Sequence, residues 1–185
     1  MVDNIHTFEN FLTAEECDYI LTKYKNELEL SPAQTTNGYT HSYSKGRKSS
    51  IGWINEINNI NERLTNLLKI TYDIYGVEVT KLGPFQFTEY KVGEYFNWHF
   101  DRDSELYMDR FVSTVILLND NYNGGVLEMQ DMNGETLSTN KKMGNLYIFD
   151  SGLMHRVTPV EDGIRYSLVN WISVIKTNST KKNII

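Results

Sequence analysis

Residues 85–103 read FQFTEYKVGEYFNWHFDRD, and the rest of the chain is organised around this stretch. The run is rich in aromatic and β-branched residues and closes on His99 and Asp101. Successive side chains of an extended strand point to opposite faces, so His99 and Asp101 leave one face while Phe100 points away. Downstream, His155 lies in SGLMHRVTPVEDGIRYSLVNW, residues 151–171, and completes a set of two histidines and one carboxylate. Such a set leaves one face of an octahedral ion open, which suits ferrous iron handling a chelating cosubstrate and oxygen.

A His-x-Asp pair alone is most simply a surface histidine on a strand. Its company points elsewhere. Arg165 follows His155, and Ser167 shares the face of Arg165 if that segment is a strand. A guanidinium there offers a planar fork for a carboxylate, which the point charge of a lysine does not match. Ahead of His99 stand Tyr90 and Gly93, a phenol donor and a flexible turn beside the metal candidates.

Tyr90-x-x-Gly93, His99-x-Asp101, Gly124-Gly125-x-Leu127, Gly144 opening a strand, His155-Arg156-Val157, Arg165-x-Ser167 and Trp171 occur in this order. On these motifs the chain, from about Phe8 to Val174, resembles the iron(II)- and 2-oxoglutarate-dependent dioxygenases of the prolyl 4-hydroxylase type, nearest to small microbial and viral members. The resemblance implies His99, Asp101 and His155 as iron ligands and Arg165 as the partner of the distal carboxylate of 2-oxoglutarate, these four forming the catalytic set. It implies Tyr90 and Ser167 as supporting cosubstrate contacts, O2 as the oxidant and ascorbate as a reductant. Two positions depart from the family pattern. Leu117 stands where animal members often carry a cosubstrate-holding tyrosine, and Arg165 stands where collagen-type enzymes carry lysine.

Composition bounds the answer. A chain of 185 residues with 40% hydrophobic and 12% aromatic content fits one domain with a sizeable core, and three prolines argue against long disorder. The expected organisation is a single domain over 1–185, with helical support in 1–76, a jelly-roll core in 77–175 and a polar C-terminal tail in 176–185. Cys17 is the single cysteine, which excludes an internal disulfide and a thiolate-rich metal site and reads as a buried helix residue. The amino terminus has no basic start followed by an apolar run, and no apolar segment is long enough to span a bilayer, so the expectation is a cytoplasmic protein without membrane contact. Asn178-Ser179-Thr180 matches a glycosylation acceptor, which without a secretory signal reads as chance. A formal charge of -6 lacks the basic excess of nucleic-acid binders, leaving only a local patch at Lys45, Arg47 and Lys48. Oligomeric state is left open.

Along the chain, residues 5–12 read as a short apolar strand. Thr13 and Glu16 form a capping box, and Tyr19, Ile20 and Tyr24 stripe a helix to about residue 28. Residues 31–50 are polar and without helical or strand period, a long loop that reads as a substrate lid or a solvated connection; His41 within it reads as a solvated histidine. Apolar residues from Ile54 to Ile74 recur at helical spacing, and Gly76 stands where that helix would end. Short β-rich segments follow near 78–81, 84–91, 111–118, 125–130, 135–138, 145–149, 155–159 and 164–174. The expected class is α+β: a double-stranded β-helix (jelly-roll, cupin-like) core with two N-terminal supporting helices.

Three function classes compete. An oxygenase would place iron on His99, Asp101 and His155 and decarboxylate 2-oxoglutarate to succinate and CO2 while hydroxylating an unactivated C–H bond. Asp101 favours hydroxylation over halogenation, since related halogenases lack the carboxylate. A zinc hydrolase can use the same ligand set but leaves Arg165, Ser167 and Tyr90 without a purpose. A non-enzymatic jelly-roll binding module predicts no metal. Within the oxygenases, nucleic-acid demethylases carry a second arginine where this chain has Trp171, which favours a peptidyl or amino-acid substrate and disfavours nucleic acid. The expected substrate is a prolyl residue of a peptide or protein, with a free amino acid, other small molecule or nucleic acid as the alternative. Substrate choice lies in the loops 31–50 and 102–110, where Tyr39, Tyr43 and Arg47 sit among Gly38 and Gly46.

Overall fold

The computed structural model describes residues 5–33, 35–36, 41–42, 46–58, 60–77, 79–102, 109–131 and 133–174. Two helices, α1 (Ala14–Glu27) and α2 (Asn61–Tyr75), accompany the strands. In the first part of the chain these are β1 (Ile5–Phe8), β2 (Ser31–Pro32), β3 (Thr35–Thr36), β4 (His41–Ser42), β5 (Arg47–Lys48) and β6 (Ser50–Ile54). After α2 come β7 (Val79–Leu82), β8 (Phe85–Tyr90), β9 (Tyr95–His99), β10 (Arg110–Leu117), β11 (Asn123–Gly124) and β12 (Leu127–Gln130). The last are β13 (Thr136–Ser138), β14 (Leu146–Asp150), β15 (His155–Val157), β16 (Val160–Asp162) and β17 (Arg165–Val174).

The larger sheet runs β1-β14-β10-β17-β8-β6-β2 with β7 beside β17, and the smaller runs β13-β12-β15-β9-β5. Strand alternation divides the larger sheet into two faces. Val112, Ile116, Leu146, Ile148, Leu168 and Ile172 point to the helices and share a core with Cys17, Ile20, Leu64 and Leu67. Their alternates Val115, Leu117, Tyr147 and Phe149 point to the smaller sheet and pack with Leu127, Met129 and Val157. Both faces of β10 and β14 are thus covered, which is why those strands carry apolar residues on either side.

Helix α1 starts as the sequence predicts. Thr13 accepts from the Glu16 N–H at 3.2 Å, and the Glu16 carboxylate accepts from the Thr13 N–H at 2.8 Å. Cys17 is fully buried, and burial, reinforced by Glu16 and Asp18, pushes its thiol up to about 12. It is a packing residue. Helix α2 ends on Gly76 with φ 65, the left-handed C-cap expected of glycine.

Two expectations need correction. The apolar spacing over 54–75 predicts one helix, but α2 begins at Asn61. Ile54 closes β6 opposite Phe85, while Ile57 and Ile60 reach the core from a non-helical connection. Residues 31–50 are not one aperiodic loop either: β2 joins β6 and β5 joins β9 in the sheets, with Ala33 buried between. Edge strands need only one partner and little apolar alternation, so a Ser- and Thr-rich sequence can hold them once a neighbour supplies the hydrogen bonds. Residues 1–76 are therefore more than helical support, since β1, β2 and β6 are strands of the larger sheet. The C-terminal tail 176–185 lies outside the described residues. No helix of the described residues is long and apolar enough to cross a membrane.

Gly144 leads into β14 with φ 81, and a Cβ there would collide with the Leu12 carbonyl oxygen. Only glycine holds this conformation without strain. Gly144→Ala is expected to cost about 2 kcal/mol or more, seen as a lower urea midpoint at unchanged slope.

Candidate active site

Strands β9 and β15 are neighbours in the smaller sheet, and His99 stands directly opposite His155 in their register. Residues so paired have their side chains on one face and in contact; here the ring centroids are 4.1 Å apart. Asp101 reaches the same point by a different route from the one strand alternation predicts. Strand β9 ends at His99, and Asp101 lies in the bend beyond it, where its N–H and that of Arg102 both donate to the Ser151 carbonyl at 3.0 Å. The turn aims the carboxylate back: Asp101 Oδ1 lies 3.6 Å from His99 Nε2 and Oδ2 lies 3.4 Å from His155 Nε2. One donor atom from each residue falls within 4.8 Å of the others.

The hydrogen bonds behind the rings fix what these atoms offer. His99 Nδ1 contacts the Asn97 carbonyl at 2.7 Å and His155 Nδ1 contacts the Leu153 carbonyl at 2.8 Å. A carbonyl can only accept, so each Nδ1 carries the proton and each Nε2 turns a lone pair toward Asp101. Burial, aided by the neighbouring His155, lowers the His99 pKa and favours its neutral ring. Burial also opposes the charge on Asp101, but the neighbouring His155 and His99 outweigh it and hold the carboxyl well below the usual range. The gaps to Asp101 are too long for good hydrogen bonds. Lone pairs converging at this spacing call for a cation between them.

Residues that the sequence did not single out hold this cluster. Ser113 Oγ donates to Asp101 Oδ2 at 2.6 Å and shares a hydrogen bond with Ser151 Oγ at 2.8 Å. Arg102 pairs with Asp150 at 2.8 Å, and Asp150 also accepts from the Gly152 N–H at 2.6 Å, which clamps the turn after β14. Phe96 stacks on His99 at 3.4 Å between centroids, and Phe149 meets His155 edge-on at 4.8 Å. No spacing rule links Ser113 or Ser151 to Asp101; only the pairing of β10 with β14 brings them there.

Arg165 sits opposite Tyr90 in the β8–β17 register, 1% exposed, with its guanidinium 5.3 Å from the Tyr90 ring centroid. Its Nη1 donates to Ser167 Oγ at 2.8 Å, while its Nε has no partner. Among the described residues no carboxylate pairs with it. A guanidinium buried without a counter-charge costs several kcal/mol, so the site is built for an anion brought from outside. Tyr90 and Phe149, the latter touching His155, belong to one apolar cluster, so Arg165 and the histidines border the same interior.

At the rim, Arg47 lies over Phe96 at 4.6 Å and donates to Ser49 Oγ and Gln86 Oε1 at 2.8 and 2.9 Å. Trp171 packs under the Arg110 guanidinium at 3.9 Å and against Trp53, which is 49% exposed. Tyr39, Tyr43, the His41 side chain and residues 103–108 lie outside the described residues.

The sequence pattern of the 2OG-Fe(II) oxygenase superfamily matches residues 85–173, the stretch that holds His99, Asp101, His155 and Arg165. Over that stretch the chain is similar to this superfamily. Among the relatives of the chain, a PKHD-type hydroxylase of Shewanella baltica is 28% identical over 108 residues, 55% of this chain and 48% of its own length. The chain thus spans about half the length of the curated relatives it matches. A Pseudomonas putida prolyl-4-hydroxylase shares the fold with a TM-score of 0.76 at 23% identity, 93% of each chain being covered. A Trichoplax adhaerens prolyl hydroxylase, solved with a hypoxia-inducible-factor peptide fragment, does so with a TM-score of 0.74 at 20% identity, over 93% of this chain and 84% of its own. The two opposed antiparallel sheets are accordingly a jelly roll like that of these solved hydroxylases, with two helices packed on the larger sheet.

Proposed function

We propose that this chain is an Fe(II)- and 2-oxoglutarate-dependent dioxygenase that hydroxylates a prolyl residue in a peptide or protein, releasing succinate and CO2. The observation that carries the reading is the buried Arg165 guanidinium, without a carboxylate partner among the described residues, bordering the interior where His99, Asp101 and His155 converge. The donor set fits ferrous iron, and the unpaired guanidinium fits the distal carboxylate of a 2-oxo diacid. A zinc hydrolase with this triad would leave Arg165 unexplained.

When bound, iron and 2-oxoglutarate supply the oxidising power, drawn from O2 with decarboxylation of the cosubstrate. The protein's own groups do the rest. His99 and His155 offer Nε2 because the Asn97 and Leu153 carbonyls fix their tautomers. Ser113 occupies Asp101 Oδ2, leaving Oδ1 the less encumbered oxygen. Arg165, with Ser167 and Tyr90 beside it, anchors and orients the cosubstrate, and Phe96 and Phe149 keep water from the histidines. Ascorbate would serve to keep the iron ferrous.

The substrate assignment is supported at the rim. The half-exposed Trp53, packed against Trp171, offers an aromatic face on which a proline ring can lie, and Arg110 over Trp171 and Arg47 over Phe96 can donate to peptide carbonyls. The Trichoplax neighbour of this fold was solved with a peptide fragment, which supports a peptide substrate. The test is incubation of the iron-loaded full chain with 2-oxoglutarate and, separately, proline-containing peptides, free proline and methylated oligonucleotides. The expected result is one oxygen added to proline in a peptide, located by mass spectrometry. Modification of free proline or loss of a methyl group from the oligonucleotide would overturn the substrate assignment.

A further inference from the structure

Besides Arg165 Nε, a second buried polar atom near it lacks a hydrogen-bond partner: the hydroxyl of Tyr122. Tyr122 is 5% exposed and precedes the β11 turn. Its ring and the Arg165 side chain flank one spot, since a Cβ placed on Gly125 would lie 3.1 Å from Tyr122 Cε2 and 3.1 Å from Arg165 Cδ. Gly125, with φ 56, keeps that spot free of a side chain. A buried hydroxyl and a buried guanidinium nitrogen, both without acceptors, are rare in a settled core because each loses its water without replacement. The phenol oxygen can accept from the guanidinium, but neither group carries an acceptor for the phenol proton, so that acceptor must come from outside.

We infer that Tyr122 is a cosubstrate-binding residue, its phenol donating a hydrogen bond to the carboxylate that Arg165 holds. This rests on the reading of Arg165 given above. Leu117, in the apolar cluster with Tyr90 and Phe149, has no donor to offer, so the hydroxyl comes from the turn instead of the strand. The phenol is held in place from several sides. Lys141 Nζ donates to the Tyr122 carbonyl at 3.2 Å and lies 5.1 Å from its ring centroid, and Asn119 ties the preceding turn to Asn121 and to the Ile164 carbonyl at 2.7 Å each. Burial raises the Tyr122 pKa against the lowering effect of Arg165, so the hydroxyl keeps its proton and remains a donor.

The test is calorimetric titration of the full chain loaded with Mn(II), which occupies the site without turnover. The titrants are 2-oxoglutarate and pyruvate, a 2-oxo acid with no distal carboxylate. Tyr122→Phe is expected to weaken 2-oxoglutarate about 10-fold, the loss of one hydrogen bond to a charged group, and to leave pyruvate unchanged. Its melting temperature should not fall, because the hydroxyl removed has no partner in the free protein. Unchanged 2-oxoglutarate affinity in Tyr122→Phe, with Arg165→Ala still impaired, would overturn the role of Tyr122 alone. Equal weakening of both acids, or a lowered melting temperature, would make Tyr122 a structural residue. Failure of the unmodified chain to bind 2-oxoglutarate would overturn the Arg165 reading and this one together.

Discussion

Arg165→Ala is expected to raise the dissociation constant for 2-oxoglutarate by a factor of tens to thousands, about 2–5 kcal/mol. The size of the effect follows from burial. Arg165 is 1% exposed and no carboxylate of the described residues neutralises it, so the free protein carries a charge that only a ligand satisfies. Two parallel N–H···O bonds from a planar guanidinium to a carboxylate are also stronger than neutral ones. The expected loss is specific: pyruvate, without a distal carboxylate, should bind the variant as it binds the unmodified chain. Lysine at this position would restore the charge but not the fork, so Arg165→Lys should recover part of the affinity. Calorimetry that found the Ala variant unimpaired would place the anchoring carboxylate elsewhere.

Replacing His99, Asp101 or His155 with Ala should abolish metal binding and 2-oxoglutarate decarboxylation, each loss exceeding about 100-fold. The comparison that gives this meaning is Ser113→Ala. Ser113 only orients Asp101 through its 2.6 Å hydrogen bond, and loss of such an outer partner costs about 10–100-fold in metal affinity. The ligand variants should therefore fall well below it. Asp101→Ala also removes the negative charge between two histidine rings, so residual metal binding in that variant should be the weakest of the three. Circular dichroism should show each variant folded, because the ligands stand at the end of β9, in the bend after it and on β15, outside the helix-facing core. A metal-free variant with full turnover would remove these residues from the site.

Much of this was legible because chemistry and spacing coincide. The grouping of His99, Asp101 and His155, and of Arg165 with Ser167, was readable from the sequence because the order of motifs survives detail of packing. Strand alternation nonetheless gave the wrong reason for Asp101, which reaches the site through a bend anchored on Ser151. The capping box at Thr13 and the glycine end of α2 were readable because helix ends depend on local residues. What escaped depends on partners distant in sequence. Strand β6 looks helical because Ile54 and Ile57 are three apart, and only Phe85 across the sheet makes Ile54 a strand residue. Strand β5 has a polar sequence and exists because β9 offers it an edge. Ser113, Ser151 and Tyr122 carry no motif, and their roles arise from side-chain atoms brought together by pairing of β10 with β14 and by the turn before β11.

The central claim is that the three converging ligands and Arg165 form one composite site for metal and 2-oxoglutarate. Anaerobic calorimetry of 2-oxoglutarate with the full chain, metal-free and Fe(II)-loaded, tests it most directly. One equivalent should bind to the Fe(II)-loaded protein, markedly more weakly when iron is absent, and more weakly still in Arg165→Ala. Binding of 2-oxoglutarate with the same affinity with and without iron would contradict the claim.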